Sequence, residues 1–264
     1  MNKNVPQTVL ITGATSGIGL ELAKIFAQNG HNLILAARRE QELGDVARQL
    51  MDQYKISAYV FPVDLSEAGA AENLYTKIKS QGLTVDILVN NAGFAEYGFF
   101  TDIALEKDLK VIQLNIVSPT ALTKLALADM LYRHQGKILN VASTAAFQPG
   151  PLMAVYYATK AYVLSLDEAL TNELAGTGIT MTTLCPGPTK TGFQKQADMK
   201  GVRLVDPKNL MSAKDVAQAG YKGLMRGKSI VIPGFKNKLL VQSLRIAPRK
   251  LVLKILRYLQ ERKK

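Results

Sequence analysis

Short apolar runs alternate along the chain with longer stretches in which apolar residues recur every three to four positions. The runs cover residues 8–11, 33–36, 58–61, 86–89, 137–141, 179–184 and 229–232. Runs this short, with little polar alternation, fit strands buried on both faces. The stretches 20–28 and 162–174 show the helical spacing most clearly. Strand–helix alternation predicts an α/β fold, a parallel sheet covered by helices on both sides. Seven strands fill one domain over residues 1–234, and no internal repeat or low-complexity segment interrupts it. A basic tail, 235–264, follows.

The first run ends in T-G-A-T-S-G-I-G at 12–19, where a helical pattern starts. Gly13 permits a sharp turn, and Gly17 and Gly19 let backbone come close to a ligand. Free N–H groups and partial positive charge at a helix start suit a pyrophosphate. Thr15, Ser16 and Ile18 lie among these glycines and join them as candidate cofactor contacts. The spacing G-x-x-x-G-x-G differs from the G-x-G-x-x-G of the general dinucleotide fingerprint.

The second run closes in A-A-R-R-E at 36–40. NAD-binding domains often carry an acid here for the ribose hydroxyls. This chain has Ala37 and then Arg38 and Arg39, and a guanidinium grips a phosphate that an acid would repel. The pattern points to NADP, with Arg38 the leading contact and Arg39 second. After the third run, Asp64 can accept from an adenine amine, Leu65 follows, and Ser66 is a candidate helix cap; a plain turn is an equal reading. After the fourth comes N-N-A-G at 90–93. The small Ala92 and Gly93 let a cofactor lie against the strand end, and Asn90 and Asn91 can tie neighbouring loops.

Ser143 is followed thirteen residues later by Tyr156 and then, after four more, by Lys160. On a helix Tyr156 and Lys160 share a face. An ammonium there favours the phenolate and pulls the tyrosine pKa down, so the hydroxyl can exchange a proton with a carbonyl or alcohol. Ser143 can hydrogen-bond the same oxygen. Tyr157 stands only three residues from Lys160 and lacks this spacing. In V-I-Q-L-N-I-V-S-P-T, Pro119 offers no N–H to the carbonyl of Asn115. A kink is expected there, with a free main-chain acceptor that a water can occupy.

The net charge of +12 is unevenly placed. Residues 235–264 hold ten Lys/Arg and one Glu, net +9, whereas 1–234 hold 23 against 20, net +3. The basic signal therefore belongs to the tail. One cysteine, Cys185, allows no internal disulfide, which fits a reducing, cytoplasmic setting. The first residues carry no signal-peptide pattern. No uncharged apolar run approaches the ~20 residues of a membrane span. No metal-ligand cluster is visible, and His31 and His134, near expected turns, read as surface residues.

The chain resembles the short-chain dehydrogenase/reductase family over about residues 6–234. The residues that carry the resemblance are T-G-A-T-S-G-I-G at 12–19, N-N-A-G at 90–93, Asn115, Ser143, Y-Y-A-T-K at 156–160 and P-G-P-T-K-T at 186–191. The resemblance implies a single doubly wound Rossmann domain and a catalytic tetrad of Asn115, Ser143, Tyr156 and Lys160. In such enzymes the tyrosine is the acid/base and the serine positions the substrate oxygen. The lysine holds the nicotinamide ribose and lowers the tyrosine pKa, and the asparagine backbone keeps a relay water. Pro186, Gly187, Thr189 and Thr191 are implied to line the nicotinamide side. The expected activity is NADP(H)-dependent hydride transfer between a carbonyl and an alcohol, in a homo-oligomer. An NAD-dependent alcohol dehydrogenase and a catalytically silent NADP-binding interaction protein are the alternatives.

Residues 190–212 show no clean period and resemble the family's mobile substrate loop. Phe94, Tyr97, Phe99, Phe100, Met153, Phe193 and Met199 are candidates for an apolar pocket, which suggests a hydrophobic or acyl-type carbonyl. Ser212 to Asp215 reads as a capping box. In the tail, Leu251, Val252, Ile255, Leu256 and Leu259 share a helical side, with Lys250, Lys254 and Arg257 largely elsewhere. Such a basic amphipathic helix can cap the domain, line the substrate entrance, join subunits or lie on an anionic membrane surface. No aromatic-interleaved nucleic-acid motif accompanies it.

Overall fold

The computed structural model describes residues 6–207 and 210–263. Seven parallel strands form the central sheet: β1 (Thr8–Thr12), β2 (Asn32–Ala37), β3 (Ala58–Pro62), β4 (Ile87–Asn90), β5 (Gly136–Val141), β6 (Ile179–Leu184) and, at the far edge, β9 (Ile230–Val231). Their order is β3-β2-β1-β4-β5-β6-β9. Each expected run is a strand, within two residues at either end. A separate two-stranded ribbon pairs β7 (Thr189–Lys190) with β8 (Met211–Ser212), and the short helix α7 (Phe193–Gln196) lies between them in the chain. Two-residue strands are too short to leave a pattern, so this ribbon was not expected.

Alternate strand residues feed two cores. Val9, Ile11, Leu33, Leu35 and Val89 pack against helices α1 (Gly17–Gln28), α2 (Glu40–Tyr54) and α8 (Ala213–Met225). Leu10, Ile34, Leu88, Ile138 and Met181 face the other way. They meet Leu74 and Ile78 of α3 (Ala70–Ser80) and Leu122, Ala126 and Met130 of α5 (Ser118–Tyr132). Both faces of the inner strands are therefore buried, which is why they read as continuous apolar runs.

α4 (Leu105–Ile112) runs into α5 through five residues, Gln113–Val117, wound as a π-helix. The Ser118 N–H donates to the Gln113 carbonyl, five residues back. The break expected at Asn115 is thus a π-turn inside one continuous helix, with Pro119 opening the α-helical part where its missing N–H costs little. The combined helix, Leu105–Tyr132, is long and apolar enough to cross a membrane by length and composition, yet it packs on the sheet through Leu122, Ala126 and Met130.

The register places Thr12 beside Ala36, Asn90 beside Asn140 and Val141 beside Leu184. The carboxyl ends of five strands thus meet at one edge. The order reverses between β1 and β4, the switch point where open α/β sheets carry ligands. The tail forms α9 (Phe235–Ser243) and α10 (Arg249–Gln260). Ser212 caps α8, accepting from the Asp215 N–H at 3.0 Å as the capping box predicts.

Two local expectations are corrected. His31 is 1% exposed, edge-on to Phe26, and burial lowers its pKa; His134 is exposed as expected. Ser66 caps no helix, because α3 starts at Ala70 after Gly69. Its hydroxyl and N–H instead donate to Asp64 Oδ1, at 2.6 and 2.9 Å, closing a local turn. Cys185 is fully buried past the end of β6, and burial pushes its thiol up to about 12.

Candidate active site

The loops at the carboxyl ends of β1, β2, β4, β5 and β6 surround a cavity of about 880 Å³. Gly13, Thr15, Ser16, Gly17, Ile18, Arg38, Arg39, Asp64, Leu65, Asn91, Ala92 and Gly93 line it, with Gly93 reaching the Lys160 corner. Ser143, Tyr156, Lys160, Pro186, Gly187, Thr189 and Thr191 line it further along. Of the expected site residues, only Gly19 and Asn115 stand behind the wall.

The glycine turn is built for two different reasons. Gly13 and Gly17 have φ of +68° and +57°, backbone that side chains disfavour. Gly19 has no such φ and does not face a ligand. A Cβ there would meet the Gly13 carbonyl oxygen at 2.3 Å and Asn91 Nδ2 at 2.4 Å. Its bare face lets α1 close on the turn. Asn91 completes the knot, donating from Nδ2 to the carbonyls of Thr12 at 2.9 Å and Gly13 at 3.2 Å. The Thr12 hydroxyl accepts from the N–H groups of Asn91 and Ala92, both at 3.0 Å. Thr12 thus locks the ends of β1 and β4 together, a role the sequence did not advertise.

Ser16 precedes α1 without a side-chain capping bond, so the first-turn N–H groups carry no side-chain cap beside the cavity. Arg39 reaches Thr15 Oγ1 at 3.2 Å and pairs with Glu42 at 2.9 Å. Arg38 lies 3.8 Å from Asp64. The arginine that touches the glycine turn is therefore Arg39, while Arg38 faces Asp64. Asp64 is pulled below the usual carboxylate range. Burial acts against this and is outweighed by the two Ser66 bonds, Arg38 and Lys110.

Ser143 follows β5 and opens the short turn Thr144–Phe147, its Oγ accepting from the Ala145 N–H at 3.1 Å. Tyr156 and Lys160 lie on α6 (Ala154–Glu173). Lys160 is buried; its Nζ donates to the Val141 carbonyl at 2.8 Å and sits 5.8 Å from the Tyr156 ring centroid. A Cβ on Gly93 would stand 3.6 Å from that ammonium and 3.1 Å from Asn115 Oδ1, so the glycine keeps this corner open. Asn115 binds Phe94 on both sides, donating to its carbonyl at 3.0 Å and accepting from its N–H at 3.3 Å. It also donates to Thr159 Oγ1 at 3.1 Å, and that hydroxyl donates to the Tyr156 carbonyl at 2.7 Å. Asn115 thereby couples the loop after β4 to the helix that carries Tyr156.

The electrostatics differ from the expectation. Burial pushes Tyr156 up to about 12, and the Ser143 hydroxyl is what pulls it back. Burial lowers Lys160 to about 8. With its charge desolvated and tied to Val141, Lys160 does not bring the phenol toward neutrality in this arrangement.

Of the residues expected to form an apolar pocket, Phe94, Met153, Phe193 and Met199 line the cavity. Phe99 and Phe100 point outward and are exposed, and Tyr97 donates to the Gln260 carbonyl at 2.6 Å instead. The rest of the apolar wall comes from the tail: Leu240 and Leu244, then Val252, Ile255, Leu256 and Leu259 of α10. The tail's apolar side was legible from its spacing, and lining this cavity is one of the placements that such a side allows. Asn237 packs on Gly187, where a Cβ would approach it to 2.6 Å. Gln260 is fully buried and donates to the Tyr157 hydroxyl at 2.8 Å. Among the described residues no group of three His, Cys, Asp or Glu side chains is arranged to hold a metal.

The family model for short chain dehydrogenases matches residues 7–200. A short chain dehydrogenase of Pseudocercospora fijiensis is 36% identical over 186 residues, 69% of this chain and 59% of that protein. A very-long-chain 3-oxoacyl-CoA reductase of Anas platyrhynchos is 35% identical over 192 residues, 70% of this chain and 61% of that protein. The matches thus span about three fifths of these longer relatives. A short-chain dehydrogenase from Sphingobium yanoikuyae, solved in complex with NADPH, superposes with a TM-score of 0.82 at 30% identity, covering 94% of this chain and 95% of that one. Fold, switch-point cavity and family match agree, and the chain belongs to the short-chain dehydrogenase/reductase family of oxidoreductases.

Proposed function

We propose that the protein is an NADP(H)-dependent reductase of hydrophobic or acyl-type carbonyls. One observation carries this reading: a single cavity has the glycine turn and two arginines at one end, and an aliphatic wall beside Ser143, Tyr156 and Lys160 at the other. The residues fit a dinucleotide. Gly13 and Gly17 hold backbone that only glycine adopts easily, and the start of α1 carries no side-chain cap. Gly13, Thr15, Ser16, Gly17 and Ile18 would hold the phosphates, with Arg38 and Arg39 at a 2′-phosphate. Asp64 and Leu65 would flank the adenine, and Asn91, Ala92, Gly93, Pro186, Gly187, Thr189 and Thr191 the nicotinamide half.

When bound, NADPH supplies hydride to the carbonyl carbon. Tyr156 gives the carbonyl oxygen its proton. A phenol pushed up to about 12 stays protonated at neutral pH, and the alkoxide it must protonate is more basic still. Ser143 donates a hydrogen bond to the same oxygen and holds it beside the phenol. Lys160, lowered to about 8 but mostly cationic at pH 7, holds the ribose and offers positive charge as the phenolate forms. Asn115 fixes the loop at Phe94 against α6, and the carbonyl that Pro119 cannot reach keeps the relay water. Support for an acyl substrate comes from the name of the Anas platyrhynchos relative, a 3-oxoacyl-CoA reductase. Outward Leu105, Leu109 and Tyr132 on the long helix support a homo-oligomer.

The test is NADPH oxidation with ketones and 3-oxoacyl thioesters of increasing chain length. Turnover rising with chain length is expected. Tyr156→Phe should lower it by about 10²- to 10⁴-fold while NADPH binding persists. Turnover confined to short polar carbonyls, or absent in both forms, overturns the reading.

A further inference from the structure

The tail has two sides, and the cavity accounts for only one. Val252, Leu256 and Gln260, four residues apart on α10, are buried inward. The opposite side carries Lys250 and Lys254, flanked by exposed Leu251 and Tyr258. The turn between α9 and α10 exposes Ile246 at 88%, and α9 exposes Phe235 and Leu239. Lys236, Lys238, Arg245, Arg249, Lys250 and Lys254 make no ion pair among the described residues, whereas Arg257, Arg262 and Lys263 do. Exposed aliphatic and aromatic side chains thus alternate with six unpaired cations on one surface.

That surface is the rim of the cavity. Leu240 and Ile255 both line it and are themselves 46% and 50% exposed, so α9 and α10 each carry residues shared between the cavity wall and the exposed surface. The rim is held in place from behind. Gln260 binds Tyr157 and Tyr97, Arg262 pairs with Asp198 at 2.8 Å, and the Lys263 N–H donates to the Gly201 carbonyl at 2.8 Å.

We propose that this outer face docks on an anionic lipid surface, such as a cytoplasmic leaflet, so that the cavity mouth opens onto the bilayer and admits a hydrophobic carbonyl from it. The second clause rests on the reductase reading of the cavity. Charge selects the occupant. Cations near an anionic bilayer are attracted, and the interleaved apolar side chains enter its interface. A second copy of this face would set cations against cations, because a two-fold interface brings one patch onto itself. Aliphatic residues such as Ile246 and Leu251 offer nothing to a phosphate backbone, which disfavours nucleic acid.

The full-length protein is to be sedimented with sucrose-loaded vesicles of phosphatidylcholine and phosphatidylglycerol at about 7:3, and with phosphatidylcholine alone, at about 0.1 M salt. Each basic side chain near an anionic surface is worth roughly a factor of five in partitioning. Wild type should pellet with the mixed vesicles only, and Lys250→Gln with Lys254→Gln should weaken binding about 20-fold. Both side chains are exposed and unpaired, so the variant keeps its fold. The chain has no tryptophan, so Ile246→Trp gives a single reporter. Its emission should shift to the blue and be quenched by brominated lipid, while Tyr59→Trp on the far sheet edge, β3, stays unquenched. Wild type remaining in the supernatant, equal binding of the double variant, or an unquenched indole in the Ile246→Trp variant each overturns the proposal. A tail-dependent change in mass by light scattering without vesicle binding assigns the face to a second copy and overturns it too. Sedimentation reads neither NADPH nor turnover, so its failure is distinguishable from failure of the reductase reading.

Discussion

Asp167 gives the sharpest test of how the catalytic helix is anchored. It lies on α6 two turns beyond Lys160 and is fully buried. Oδ1 accepts from Asn140 Nδ2 at 2.6 Å and Oδ2 from Thr183 Oγ1 at 2.8 Å. Asn140 Oδ1 accepts from Asn90 Nδ2 at 2.8 Å, and Asn90 Nδ2 also donates to Thr123 Oγ1 at 3.0 Å. The chain of bonds runs from α5 through β4 and β5 to α6 and β6, and no cation is in it. Burial pushes the carboxyl from 3.8 up to about 7, with Thr183 and Asn140 pulling back and Glu168 pushing further. The unfolded chain releases this proton near pH 4, and the folded protein holds it to about pH 7. In that window the folded state binds more protons, so stability falls as pH rises, by about 1.4 kcal/mol per pH unit. The contribution is fully present below about pH 4. It is lost as pH passes through 7, a change on the order of 4 kcal/mol. Asp167→Asn removes the titration at constant shape, and the Thr183 hydroxyl can rotate to suit the amide. Urea unfolding of both proteins at pH 5, 6, 7 and 8 isolates the effect, because every other group cancels in the difference. The variant should gain on wild type by on the order of 3 kcal/mol between pH 5 and 7 and hold that gain at pH 8. A difference that is flat across the series refutes the reasoning.

Lys160, lowered to about 8, should impose a fall in kcat/KM for reduction above pH 8, read from a pH–rate profile; a profile flat to about pH 10 would mean that its charge is not used. Gly19→Ala drives a methyl into the Gly13 carbonyl and into the Asn91 amide, a side-chain tip pinned by its bonds to Thr12 and Gly13. It should cost about 1–3 kcal/mol, a drop of several degrees in thermal midpoint, and weaken NADPH binding in calorimetry; an unchanged midpoint contradicts the packing argument. Arg38→Asp and Arg39→Asp should each weaken NADPH relative to NADH by about tenfold or more, the worth of a charge-assisted bond to phosphate. An unaltered ratio in both removes the basis for choosing NADP.

The strands were legible because parallel strands buried on both faces must be apolar without interruption, as 33–36 and 137–141 are. The glycine turn and the Tyr156–Lys160 pair were legible because their geometry is local. A four-residue spacing fixes a shared helix face whatever surrounds it. The surroundings of a residue are not encoded in its local spacing. His31 looked like a turn residue, but the turn tucks it against Phe26. Ser66 looked like a cap, but Asp64, two residues away, accepts both of its donors first. Lys160 has the spacing to lower the phenol's pKa, yet spacing says nothing about desolvation, and burial raises Tyr156 and lowers Lys160.

The tail shows the same division at larger scale. Val252, Leu256 and Leu259 announce one apolar side and Lys250, Lys254 and Arg257 another, so amphipathicity was plain from the sequence. The bond that seats it on the domain joins Gln260 to Tyr157, 103 residues apart, and no local pattern encodes it. Tyr157 is next to Tyr156 on α6, with ring centroids 6.0 Å apart. The tyrosine that lacks the four-residue spacing to Lys160 is therefore the anchor for the helix that walls the substrate end. Tyr156 lines the cavity, and its neighbour holds the tail beside it. An apolar wall attached at that point cannot drift from the reacting oxygen without breaking a buried hydrogen bond, at a cost of about 1–3 kcal/mol. That cost is enough to keep the wall seated, and small enough that a tail engaged by a surface could still adjust it.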